Sequence, residues 1–139
     1  KNVTISAAGA NAVTDEYGKA ILTVPTKNVV ISAQRTLAAN AVTAYDASLV
    51  LQSAIGKTVL NDNQKKAADV DGNGEINEYD AALILQKSVR KIDAFPASYT
   101  WLFVPSSIEK TLSTSGTDSV SFTAISLGDV DGSFKEDVQ

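Results

Sequence analysis

A nine-residue stretch recurs in this chain with six identities, and the repeat limits the folds open to its middle. Ala44-Tyr45-Asp46-Ala47-Ser48-Leu49-Val50-Leu51-Gln52 is matched by Glu78-Tyr79-Asp80-Ala81-Ala82-Leu83-Ile84-Leu85-Gln86, at a constant offset of 34 residues from Tyr45 to Tyr79 and from Asp46 to Asp80. Each copy opens on an N-terminal capping pattern, Thr43-x-x-Asp46 in the first and Asn77-x-x-Asp80 in the second. Apolar residues then follow at helical spacing: Ala47, Val50, Leu51 and Ala54 in one, Ala81, Ile84 and Leu85 in the other. Gly56 suits the end of the first helix, and Arg90 and Lys91 fall where the dipole of the second is negative. The pattern predicts a duplicated loop-helix unit. A shorter helix is predicted between the copies, from Asn61 through Gln64 to Ala67.

The residues ahead of the second helix carry the chemistry. Asp69-Val70-Asp71-Gly72-Asn73-Gly74-Glu75-Ile76-Asn77-Glu78-Tyr79-Asp80 reads as a twelve-residue calcium loop. Its oxygen donors at positions 1, 3, 5, 7, 9 and 12 are Asp69, Asp71, Asn73, the backbone carbonyl of Glu75, Asn77 (directly or through water) and Asp80. Gly74 stands at position 6, where the chain must turn sharply, and Ile76 at position 8 points to the core. Such a loop offers Ca²⁺ its six to eight oxygens at flexible geometry, without the tight octahedron Mg²⁺ demands.

The first copy has no such loop. The positions 34 residues earlier are Arg35, Leu37, Ala39 and Thr43, which leaves Asp46 as the acidic residue. A half-loop stands near the other end of the chain: Gly128-Asp129-Val130-Asp131-Gly132-Ser133 parallels Ala68-Asp69-Val70-Asp71-Gly72-Asn73. The expectation is that Asp129, Asp131 and Ser133 meet Thr43 and Asp46 in a second, split calcium site, within one chain or between two.

Bulk properties narrow the alternatives. Across 139 residues there is no Cys and no His, so thiolate sites, disulfides, the usual zinc ligand and the usual general base are all excluded. A net charge of −4 gives no footing for nucleic acid or an anionic membrane, and it suits a chain that holds hard cations. No apolar run reaches the ~20 residues of a membrane helix. No nucleophile–base pair, phosphate loop or catalytic carboxylate pair is found, and the clustered acids are accounted for by calcium. The start at Lys1 reads as a processed piece of an exported protein or as a trimmed fragment.

The flanks read as β-structure. Val3–Ala7, Lys19–Val24, Asn28–Ala33, Tyr99–Val104 and Ser119–Leu127 are the expected strands, with a turn at Asp15-Glu16-Tyr17-Gly18. The expected fold is therefore α+β. An antiparallel β-sandwich is built from both chain ends, residues 1–40 and 94–139, with an inserted helical calcium-binding unit at 41–93. Tyr99, Trp101 and Phe103 share one strand face, which reads as packing or, alternatively, as a sugar platform. Asn2-Val3-Thr4 is a glycosylation sequon.

With Asp at position 12, the Tyr-Asp-Ala helix start and the duplication, residues 40–93 resemble the dockerin domain, a pair of loop-helix calcium repeats in extracellular bacterial and archaeal proteins. The resemblance implies Ca²⁺ and a cohesin partner. Positions 10 and 11 of dockerin loops commonly carry a small Ser-Thr-type pair that reads cohesin; here they are Glu78-Tyr79 and Ala44-Tyr45. The segment from Val13-Thr14-Asp15-Glu16-Tyr17-Gly18-Lys19 to Val24-Pro25 resembles the carboxypeptidase-regulatory-like, prealbumin-type sandwich of surface proteins. The leading expectation is a non-enzymatic calcium-binding structural module, extracellular or at the cell surface. Its partners would be copies of itself, joined at strand edges in a filament or array, or another surface or scaffold protein. The alternative is a divergent dockerin adaptor that binds a cohesin module.

Overall fold

The computed structural model describes residues 1–114 and 116–135. It is α+β, with six strands and three helices among the described residues. The strands are β1 (Thr4–Ala7), β2 (Ala10–Val13), β3 (Asn28–Gln34), β4 (Trp101–Val104), β5 (Ser107–Thr111) and β6 (Thr123–Ser126). The helices are α1 (Ala44–Ala54), α2 (Asp62–Ala68) and α3 (Glu78–Ser88). The chain divides into two compact units. One is built from Lys1–Leu37 and Phe103–Ala124, the other from Ala38–Leu102 and Ile125–Lys135. Residues 136–139, the tail of the segment expected in the sandwich, lie outside the described residues.

In the first unit, β2, β1, β3 and β5 form a four-stranded sheet in that order, with every neighbouring pair antiparallel. Strand β5 therefore brings the C-terminal half of the chain onto the N-terminal half, with Ile31 opposite Ile108. Along β3, Val29 and Ile31 are buried while Asn28, Val30, Ser32 and Gln34 are exposed, the alternation of a sheet with one covered face. Ala7, Val29 and Ile31 form its core, and Ile5, Leu22, Val24, Ile108, Leu112 and Phe122 pack against them. Strands β4 and β6 pair as a separate two-stranded sheet.

Two expectations about strands change. Lys19–Val24 alternates as a strand would, yet it is irregular; Leu22 and Val24 still bury against the sheet, so the alternation reported burial rather than pairing. The partner of β1 is instead β2, reached through a two-residue turn at Ala8 (φ 49°) and Gly9 (φ 81°). Two positive φ values in succession match the right-handed twist of a hairpin, and glycine at the second relieves its strain. The last expected strand shortens from Ser119–Leu127 to Thr123–Ser126. The turn at Asp15–Gly18 forms as read: the Gly18 N–H donates to the Asp15 carbonyl at 3.0 Å, and Asp15 Oδ1 accepts the N–H groups of Tyr17 and Lys19.

In the second unit the repeat is visible in three dimensions. Helices α1 and α3 pack against each other. They bury equivalent residues, Asp46, Ala47 and Val50 in one and Asp80, Ala81 and Ile84 in the other. Val50 and Ile84 are wholly excluded from solvent. Both helices start on reciprocal capping boxes, and α2 does the same through Asn61 and Gln64, each side chain accepting the other's backbone N–H at 3.0 and 2.9 Å.

Candidate metal centre

The loop between α2 and α3 is folded around the carboxylate of Asp69. Asp69 Oδ1 accepts the N–H groups of Gly72 and Asn73 at 3.0 and 3.1 Å, and Oδ2 accepts that of Gly74 at 3.0 Å. Asp71 Oδ1 accepts the Asn73 N–H at 3.1 Å, and Asn73 Oδ1 accepts the Glu75 N–H at 2.7 Å. Each carboxylate or amide thus turns the chain by holding amides a few residues ahead. Gly72 and Gly74 adopt φ of +75° and +87°, the left-handed region such a tight wrap requires.

Asp80 closes the loop from the first turn of α3. It is fully buried, and its two oxygens accept the N–H groups of Val70 (3.0 Å) and Asn77 (3.1 Å). One oxygen from each of Asp69, Asp71 and Asp80 lies within 4.8 Å of the others. Burial pushes the Asp80 carboxyl above its ordinary value, and the charge of Asp71 adds to the rise. Asn77 stands at the helix start, where its side chain accepts the Tyr79 N–H at 2.8 Å. Of the six residues expected at this site, the structure therefore gathers three as carboxylates. Asn73 and Glu75 lie on the loop's inner hydrogen bonds, and Asn77 serves as the cap.

The segment expected to complete the first repeat is brought to α1. One oxygen from each of Asp46, Asp129 and Asp131 lies within 4.8 Å of the others. The backbone reproduces the intact loop: Asp129 Oδ1 accepts the Ser133 N–H at 2.9 Å, Asp129 Oδ2 accepts that of Phe134 at 3.1 Å, and Asp131 Oδ1 accepts that of Ser133 at 2.9 Å. Asp46, fully buried like its repeat partner Asp80, accepts the Asp131 N–H at 3.0 Å. Thr43 caps α1: its N–H and its hydroxyl both donate to Asp46 Oδ2, at 2.8 and 2.9 Å. The Ser133 hydroxyl donates to Asp129 at 3.3 Å. Val130 is buried as Val70 is. Burial pushes Asp129 up; at Asp131 burial acts in the same sense, but hydrogen bonds from Ser133 prevail and hold it below its ordinary value.

Both clusters offer oxygen alone, with three carboxylates each and hydroxyl or amide oxygens beside them. That donor set fits a hard divalent cation, and Ca²⁺ above all, because Ca²⁺ accepts an irregular set of oxygens from loop and helix-start residues where Mg²⁺ demands a regular octahedron. Without a cation, three carboxylates at this spacing repel one another.

Sequence reasoning missed the segment that lies against these loops. Phe95, Ala97, Tyr99 and Trp101 are half-buried, and Pro96, Ser98 and Thr100 are exposed. A Cβ added to Gly72 would meet the Tyr99 hydroxyl at 3.6 Å and the Ala97 Cβ at 3.7 Å. Trp101 packs edge-on against Phe134, with ring centroids 5.5 Å apart. Tyr99 and Trp101 are thus engaged with the acidic loops, which favours packing over a sugar platform. The alternation from Tyr99 was the available signal, and it did not say what the aromatic face would meet.

Residues 39–87 match the family model of the dockerin type I domain. No curated protein and no solved structure matched the chain. The helical unit is dockerin-like; dockerin domains are non-catalytic modules that bind calcium and a partner protein and occur in extracellular or cell-surface complexes. The match ends before the half-loop at Asp129–Ser133.

Proposed function

We propose that this chain is a calcium-dependent, non-enzymatic interaction module of an extracellular or cell-surface protein, whose paired helices dock a cohesin-type partner. The observation that carries the reading is a set of exposed apolar residues in repeat-related pairs on α1 and α3 and at their C-terminal ends. Tyr45 and Tyr79 are 58% and 57% exposed, and Leu51 and Leu85 are each 46% exposed. Ile55 and Val89 follow at the helix ends, also exposed. Residues left open at the same place in both copies of a duplicated unit are poorly explained by folding, since the buried residues of those copies already supply the packing. Large aromatics at Tyr45 and Tyr79, where dockerin loops commonly carry a small residue, favour a partner pocket that accepts an aromatic ring.

Calcium in this reading is structural. Asp69, Asp71, Asn73, the Glu75 carbonyl, Asn77 and Asp80 hold one ion, and Asp46, Asp129, Asp131 and Ser133, with Thr43 supporting Asp46, hold a second. The ions fix the starts of α3 and α1, and so the angle at which the two helices present their open faces. Strand-edge self-assembly has weaker support: the short edge strands β2 and β5 carry no feature comparable to the repeated helical pairs.

The test is titration calorimetry against a panel of cohesin modules, in calcium and in excess chelator. Binding in calcium that is lost in chelator, and weakened by Tyr45→Ala with Tyr79→Ala, supports the adaptor reading. No binding to any cohesin, together with calcium-dependent growth in size by light scattering, returns the choice to self-assembly.

A further inference from the structure

We infer that the ribbon Phe95–Trp101, which lies beyond the family-matched residues, is a brace that slows release of calcium from the Asp69–Asp80 loop. The inference rests on the calcium reading of that loop. The ribbon's middle lies against the loop. The Ala97 N–H donates to the Val70 carbonyl at 3.2 Å, and the N–H of that same Val70 donates to Asp80 Oδ1 at 3.0 Å. A single buried residue therefore joins the ribbon to the carboxylate at position 12. Ala97 and Tyr99 also lie over the face of Gly72, at 3.7 and 3.6 Å from where its Cβ would stand, ordinary contact distances. Burial and the charges of Asp69 and Asp71 raise the Tyr99 phenol, which agrees with a hydroxyl set beside those carboxylates.

The ends of the ribbon are fixed elsewhere, so it cannot lift freely from the loop. At its start the Phe95 ring closes on Gly128, where a Cβ would lie 2.7 Å from two ring carbons. At its end the Leu127 N–H donates to the Thr100 carbonyl at 3.0 Å, and Trp101 packs on Phe134. The Gly128 N–H in turn donates to the Ala67 carbonyl at 2.8 Å, just ahead of the loop. An ion leaves such a site when its carboxylates separate and water enters; a ribbon that lies on the loop and is anchored at both of its own ends opposes both movements.

The experiment follows calcium release from the loaded, full chain by stopped flow into a fluorescent chelator, with bound calcium counted by atomic absorption beforehand. Tyr99→Ala is expected to release the calcium of the Asp69–Asp80 loop roughly tenfold faster, the order of one lost contact, with the count unchanged. Phe95→Leu, made beside Asp129→Asn and Asp131→Asn because Phe95 also abuts Gly128 next to the split site, loosens the anchor without touching the Asp69–Asp80 loop, is expected to act in the same direction, and serves where Tyr99→Ala loses its helical circular dichroism. Unchanged release rates in folded variants that keep the calcium of that loop overturn the brace alone. A wild-type chain that binds no calcium overturns the metal reading and the brace with it.

Discussion

Replacing Asp129 and Asp131 together by asparagine should change the stability of the helical unit in opposite directions with and without calcium. One oxygen from each of Asp46, Asp129 and Asp131 lies within 4.8 Å of the others. A pair of like charges about 4 Å apart repels by about 1 kcal/mol in water and up to about 4 kcal/mol at the effective dielectric near a protein surface. Asp129 accepts the Ser133 N–H on one oxygen and the Phe134 N–H on the other. An amide there, with its single oxygen, can keep the Phe134 bond while the amide oxygen at position 131 keeps the Ser133 bond; one of the three bonds is lost but both N–H groups retain an acceptor. The variant therefore keeps most of the loop's wrap and loses its repulsion, and in chelator it should melt no lower than the wild type. In calcium the balance reverses. An ion at about a hundred times its dissociation constant stabilises the folded state by about 2.7 kcal/mol per site. The variant forgoes this at the split site, which for a unit of this size lowers the melting temperature by roughly 10–20 °C. The assay is thermal circular dichroism at a helix wavelength, which reports α1, α2 and α3, with calcium counted in parallel. Equal destabilisation in calcium and chelator would mean that the carboxylates serve only as hydrogen-bond acceptors. An unchanged calcium count would refute the split site.

Three further outcomes follow from the same geometry. Ile84→Ala empties a fully buried position between the repeats and should cost about 2–5 kcal/mol in calcium and chelator alike, read by denaturant melts, since it touches packing and not charge. Gly74→Ala meets no atom within 4 Å but must hold φ near +87°, so calorimetry should show calcium affinity down by roughly tenfold from about 1–2 kcal/mol of backbone strain, with no packing loss. In chelator, Asp80 and Asp129, both raised by burial, take up protons when folded at a pH where the unfolded chain has not yet done so. Their contribution is thus lost as pH rises through those raised values and regained as it falls, so metal-free melting temperatures should rise on mild acidification; deeper acid then protonates the lowered Asp131 and Asp118 and reverses the trend.

The acidic loops were legible because their ligands are close in sequence and fixed by position. Asp69, Asp71 and Asp80 meet where the twelve-residue spacing puts them, and the half-loop at Asp129–Ser133 was readable because it copies Asp69–Asn73. Helix starts were legible for a related reason, since Thr43, Asn61 and Asn77 cap through residues three positions on. Strand pairing was less so. The Ala8-Gly9 turn carries one weak signal in Gly9, and Ala8 accepts a positive φ that nothing local demands. Strand β5 reads Ser-Ile-Glu-Lys-Thr, with a single apolar residue, and pairs because β3 lies open to it. The ribbon at Phe95–Trp101 alternates, which announces a covered face, but nothing in that alternation says that the face meets two loops.

A split site also raises the question of what it costs to build. Asp131 donates its N–H to Asp46 across 85 residues, against a dozen in the intact loop. For a flexible chain the extra closure entropy is only about 2 kcal/mol, because the cost grows with the logarithm of length. Part of that cost is met before any ion arrives: Gly128 is held by Ala67, Leu127 by Thr100, and Val130 is buried. The half-loop is therefore presented to Asp46 by the fold itself, and the ion has only to overcome charge repulsion there. The intact loop is different, since Asp69 and Asp80 are brought together by short-range turns that form with the helices. On this argument the split site should bind its ion only in the folded chain, whereas the Asp69–Asp80 loop retains weak affinity in an isolated peptide. A peptide spanning residues 61–91 that binds calcium weakly, beside one spanning 125–135 that binds none, is the expected result; calcium binding by the second peptide alone would show that the half-loop needs no help from α1.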